Sequence, residues 1–262
     1  MTNRDSTRLG LLVAILAGGV VVGVLLASLR GLPAPAVSVT VSSAAPGGHP
    51  DLQTRIAVTS GDLFDQVQVL GPRGGSIAQD AELPNDLIVG RLDAEATTNA
   101  LTRPTCDQHV TFTVPIRKAA ANPDDPSYPP FLKALAPGKH RLRLIADVSP
   151  SPQVPVVLNY LLDIDPVSRG VVLRVFIGDP DHPATQLKTC APGKSTNTLF
   201  GITPNNTPLL TAPAVVTDPH FSFTFEFSRP NAAGERLTQK VSVESDIRAV
   251  DGPPTPNSSP IE

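Results

Sequence analysis

In GDPDHP, residues 178–183, Asp179, Asp181 and His182 crowd together directly after an apolar run. Carboxylates two positions apart on a loop can share a hard cation such as Ca²⁺, which takes about six to eight oxygen ligands. Asp163 and Asp165 close an earlier apolar run and would have to lie alongside to complete such a shell. Asp-Pro is also a turn dipeptide, so a solvated turn is the simpler reading, and neither a metal nor a cofactor is expected. His49, His109, His140 and His220 are scattered and have no ligand spacing.

Other chemistries find less support. Gly-x-Ser-x-Gly is absent, and Gly75-Ser76 sits in a glycine-rich turn with no helical pattern after it. Gly71-Pro72-Arg73-Gly74-Gly75 lacks the Lys-Ser/Thr and the following helix of a phosphate-binding loop, and reads as a β-turn. No catalytic residue is expected. Cys106 and Cys190 are the only cysteines. In an oxidising compartment two cysteines with no third partner are expected to pair. Closing a loop of roughly 80 residues would stabilise by about 4 kcal/mol in the chain-entropy account.

The compartment is read from the N-terminus. From Leu9 to Leu29 the chain carries no charge and no proline, and its apolar residues lie all round a helix. At about 1.5 Å per residue such a helix reaches roughly 30 Å, the thickness of a bilayer's hydrocarbon core. Ala34-Pro35-Ala36 has the small-x-small form of a cleavage site. The uncharged run nevertheless exceeds the about 7–15 residues of a signal h-region, so a retained anchor is expected. Arg4 and Arg8 before the span against Arg30 after it place the N-terminus inside and the rest outside the cytoplasm. Gly19 and Gly23 form a small-xxx-small pair that could seat a second copy, though glycine is common in spans generally.

The elements behind the anchor follow a period of two. In HFSFTFEFS, Phe221, Phe223, Phe225 and Phe227 alternate with polar residues, which puts four rings on one strand face and predicts core. Leu237, Val241, Val243 and Ile247 share one parity after a short loop, and predict a hairpin. Val110, Phe112 and Val114, then Leu142 and Leu144, then Val156, Leu158, Tyr160 and Leu162 repeat the pattern. GVVLRVFIG, residues 170–178, is apolar on both faces, as a strand covered on both sides would be. The 29 prolines are about twice the usual share and fall mostly between these runs. A net charge of −3 with no tryptophan leaves no footprint for nucleic acid.

Nine or ten strands with no long soluble helix predict an all-β antiparallel sandwich. LAPGKHRLRLIADV, residues 135–148, with the strand from Val156 to Ile164, resembles the late strands of bacterial immunoglobulin-like or fibronectin-type modules. That resemblance implies an immunoglobulin-like sandwich and carries no active site. The predicted organisation is a cytoplasmic N-terminus at 1–8, the anchor at 9–29, and a Pro/Ala/Ser tether at 30–51 that holds at most a short strand near Val37–Val41. Modules at 52–165 and 166–250, or one domain over 52–250, come next, before a disordered tail at 251–262. The expected function is a non-catalytic binding or scaffolding module of the bacterial envelope whose partners are the membrane and another envelope protein. A sandwich with an apolar cleft for a lipid or small molecule, and an unrecognised extracytoplasmic hydrolase, are the alternatives.

Overall fold

The computed structural model describes residues 35–59, 64–99, 106–149, 156–177, 189–216, 220–230 and 235–247. Thirteen strands run through them: β1 (Ala36–Val41), β2 (Leu52–Val58), β3 (Gln66–Arg73), β4 (Ser76–Ile77), β5 (Ile88–Asn99), β6 (Cys106–Ala119), β7 (Leu142–Asp147), β8 (Val157–Ile164), β9 (Gly170–Ile177), β10 (Thr189–Leu199), β11 (Leu210–Thr211), β12 (Ser222–Pro230) and β13 (Arg236–Ile247). One short helix, α1 (Pro130–Leu135), lies between β6 and β7.

Eleven of these strands close into a barrel in the order β1-β13-β12-β3-β9-β8-β7-β6-β5-β10-β2, where β2 pairs with β1. Every ladder in it is antiparallel except β1 against β13. An odd number of strands cannot close with alternating directions all the way round, so one parallel pair is required, and β1 supplies it. The immunoglobulin-like sandwich expected from the sequence is therefore corrected to a single closed sheet. Alternation of apolar and polar residues demands one buried face per strand, and a sheet curled on itself meets that demand as well as two stacked sheets do. The stretch that suggested an immunoglobulin-like module becomes the end of α1, β7 and β8, inside the one barrel. Residue 165 lies in the turn between β8 and β9, which pair with each other, so the barrel draws strands from both sides of it.

Registers show what fills the interior. Val39, Thr54, Asn197, Leu92 and Val114 form one inward row across β1, β2, β10, β5 and β6. Leu144, Tyr160, Val175, Val67 and Phe227 form another across β7, β8, β9, β3 and β12. Phe221, Phe223, Phe225 and Phe227 all point inward and are 0–6% exposed, as their alternation predicts. Burying each ring contributes about 1.5–3 kcal/mol. Outward positions are polar, as in the row Arg55, Thr196, Asp93 and Thr113. A wall that turns its polar residues outward is built for water; a lipid-facing barrel shows the opposite alternation. No helix among the described residues is long and apolar enough to cross a membrane. The span at 9–29 and the tail at 251–262 lie outside the described residues.

Two patches of the outside are covered. Residues 120–141, with α1, lie over β7, β8 and β9 and build a second small core from Tyr128, Phe131, Leu132, Ala136, Leu161 and Phe176. This is why GVVLRVFIG is apolar on both faces: Leu173 looks into the barrel and Phe176 into the second core. One end of the barrel is closed by β4, β11 and their flanking loops. There Gly201 N–H donates to Asp51 Oδ1 at 2.7 Å, and a Cβ at Gly201 would stand 2.1 Å from the His49 carbonyl oxygen. Only glycine allows these two loops to touch so closely.

Candidate functional site

At the other end, where β1 begins, the interior is not filled. A cavity of about 170 Å³ lies between β2, β3, β5, β6, β8, β9, β10 and β12. Its cause is side-chain size. The inward residues of β5 and β10 in this sector are Ala94, Ala96, Gly193 and Ser195, too small to reach the opposite wall. That wall is Leu158, Val175 and Ile177, with Phe64 and Phe227 stacked at a tilt, ring centres 4.8 Å apart, while Phe112 flanks the gap as the ladder partner of Ala94. Apolar walls of this kind keep a cavity of roughly 150 Å³ dry and receptive to a small apolar guest.

Polar side chains reach the inner face at two positions of β10, Ser195 and Asn197. Asn197 lines the cavity, and its Oδ1 accepts the hydroxyl of Tyr160 at 2.9 Å. Burial pushes the Tyr160 phenol far up, so it stays a neutral donor. Charge is kept to the outer face of the wall, where Lys194 Nζ meets Glu95 Oε2 at 2.5 Å and His109 approaches the same carboxylate at 3.5 Å. The hydrogen bond from Lys194 holds the Glu95 carboxyl below its ordinary value. A second hollow of about 400 Å³ on that outer face is lined by Arg55, Asp93, Glu95, Thr111, Thr113 and Lys194 among others. Its carboxylates are already engaged, Asp93 by Arg91 and Thr113 and Glu95 by Lys194.

The residues singled out from the sequence are placed differently. Asp179, Asp181 and His182 lie outside the described residues. Asp163 is committed elsewhere, accepting His140 Nδ1 at 2.8 Å and Arg141 N–H at 2.9 Å. Asp165 caps the β8–β9 turn by accepting the N–H groups of Val167 and Ser168. No group of three or more metal-ligating side chains occurs among the described residues. Of the 71–75 stretch, Gly71, Pro72 and Arg73 end β3, and the turn to β4 is made by Gly74, at φ 84°, and Gly75.

The disulfide is corrected as well. Cys106 stands opposite Asn99 and Cys190 opposite Thr97, on the two strands that flank β5. Neighbouring strands are about 4.8 Å apart. A whole strand thus stands between the two cysteines, whereas a disulfide needs their Cα atoms within roughly 7 Å. None is observed.

Sequence reasoning did not find the cavity. Its one signal is the run of small inward residues Ala94, Ala96, Gly193 and Ser195, which in a sequence looks the same as close packing. Comparison of the chain with protein-family models, curated proteins and solved structures finds no match.

Proposed function

We propose that this protein is a non-catalytic, membrane-anchored binding protein that holds an apolar ligand inside its barrel, outside the cytoplasm. The observation that carries the reading is the cavity of about 170 Å³, walled by apolar side chains and emptied by four small ones. A ligand site is typically concave, mostly apolar and fixed by a few polar groups, and here Ser195 and Asn197 are those groups. The anchor at 9–29 supports the membrane location, and the polar outer wall supports a barrel that stands in water.

The chain has no tryptophan, so one introduced ring is a unique reporter. Phe112→Trp places it in the cavity wall; Val167→Trp places it on a turn at the closed end, at a site 90% exposed. With the full chain in detergent, bromobenzene is expected to quench the cavity tryptophan saturably and the turn tryptophan only in proportion to concentration. Adding Ala96→Phe, which fills the cavity, is expected to weaken the saturable quenching by about tenfold or more, a loss of roughly 1.4 kcal/mol in binding. Equal, unsaturable quenching at both positions would refute the reading.

A further inference from the structure

The identity of the occupant follows from the polarity of the cavity and from where the chain enters the barrel. We propose that the cavity takes one acyl chain of a bilayer lipid, admitted at the end of the barrel where β1 begins; this rests on the ligand-binding reading above.

No charged side chain points into the cavity, since Glu95 and Lys194 pair on the outer face of its wall. Ser195 and Asn197 are the polar residues on its inner face, and Asn197 Oδ1 already accepts a hydrogen bond from Tyr160. A guest must therefore be apolar over its buried length, and any charged group it carries has to stay outside. An amphiphile with a hydrocarbon tail meets both conditions. The volume, about 170 Å³, is close to that of cavities that hold a single benzene-sized guest. It suits a segment of one chain and excludes a whole diacyl lipid.

Strand directions put the cavity at a defined end. β1 starts there at Ala36, and so do β6, β8, β3 and β13, while β2, β5, β7, β9 and β12 finish there. Val58, Phe64, Ala96, Val110, Val148 and Ile177, close to those strand ends, line the cavity. Six residues, 30–35, separate Leu29 at the end of the uncharged span from Ala36. Fully extended, that link reaches at most about 25 Å. Were residues 9–29 to span a bilayer, a link of that length would limit how far the start of β1 could lie from the surface, where acyl chains are the most abundant apolar molecules. A soluble apolar metabolite would have no need of so short a tether.

The test reconstitutes the full chain in vesicles of phosphatidylcholine whose acyl chains are dibrominated at mid-chain, and reads the single tryptophan of Phe112→Trp. The expected result is loss of emission relative to vesicles of the unbrominated lipid, no loss for Val167→Trp, and recovery of emission when Ala96→Phe is added. Retention of the cooperative unfolding transition by each variant, followed by circular dichroism, confirms that the barrel is intact. Quenching that survives Ala96→Phe would mean that the ring only lies near the bilayer, and would overturn the proposal. Quenching by bromobenzene with none by the brominated lipid would also overturn it, and would leave the ligand-binding reading standing. Quenching by neither would remove both.

Discussion

Tyr160 and Asn197 meet across the inside of the barrel, the phenol of β8 donating to the amide oxygen of β10 at 2.9 Å with three strands of wall between them. Tyr160 is 1% exposed, and the bond crosses the level at which the packed interior gives way to the cavity. It ties two strands that share no ladder. Tyr160→Phe keeps the ring and removes only this bond, and is expected to cost about 0.5–1.5 kcal/mol in urea unfolding. Because each partner's loss already breaks the bond, the double variant with Asn197→Ala should cost less than the two single changes added together. Strict additivity would show that the bond contributes nothing.

Acid strengthens the attachment of α1 to the barrel. His140, its side chain 4% exposed, has an acceptor at each ring nitrogen: Asp163 Oδ2 at 2.8 Å from Nδ1 and the Ala136 carbonyl at 2.9 Å from Nε2. Carboxylate and carbonyl oxygens only accept, so both nitrogens donate and the ring is the imidazolium. The Asp163 hydrogen bond raises its pKa above 6.5, against the opposing effects of burial and of Arg174. A folded pKa above the unfolded value means that the contribution is present in full below about 6.5 and is lost as pH rises through the raised folded value. The urea midpoint of the wild-type chain should fall across that window. His140→Leu should be less stable in acid and should lack that slope. A parallel pH profile for the variant would count against the imidazolium.

Phe225 is fully buried and lies between Val69 of β3 and Val241 of β13 in the ladders. Phe225→Ala is expected to destabilise by about 3–5 kcal/mol, the usual range for emptying an aromatic site in a packed interior. An unchanged melting temperature would mean that the ring is not part of the core.

The same phenylalanines show how far the sequence could be read. Period two from Phe221 to Phe227 specifies a strand and its buried face, because alternation is a local property of the extended chain. Closure is not local. It depends on β1 pairing with β2 on one side and with β13, about 200 positions away, on the other. β1, AVSVTV, sits in a stretch rich in proline, alanine and serine with no acid or base, whose composition suggests a tether. Its inward residues Val39 and Val41 are 1% and 2% exposed, so tertiary pairing overrides that composition. The two-faced character of residues 170–178 was legible, but the element that covers the outer face, a six-residue helix led by proline, was not. Helices that short derive their stability from packing and leave little periodic signal. The cavity was invisible for a related reason: it is defined by what Ala94, Ala96 and Gly193 fail to fill, and that depends on which residues stand opposite.

Arg143 gives the sharpest test of how residues 120–141 are held against the wall. Its Nε and Nη2 both donate to Asn159 Oδ1, at 3.1 and 2.9 Å, while Nη1 reaches the carbonyls of Ala120 and Ser127. The guanidinium also lies 5.1 Å from the centre of the Tyr128 ring. The residue is 4% exposed, and burial lowers its pKa from the ordinary value. A planar fork serves these directions at once; an ammonium offers three donors from a single atom. Arg143→Lys keeps the charge and is therefore expected to lose about 1.5–3 kcal/mol, the range for hydrogen bonds to a charged group. The loss should be local before it is global. Hydrogen exchange of the backbone amides of Tyr128, Leu132 and Ala136, which close the turns of this segment, should accelerate more than exchange in β12 and β13 on the far side of the barrel. Uniform acceleration would mean that Arg143 stabilises the whole barrel and does not single out this segment.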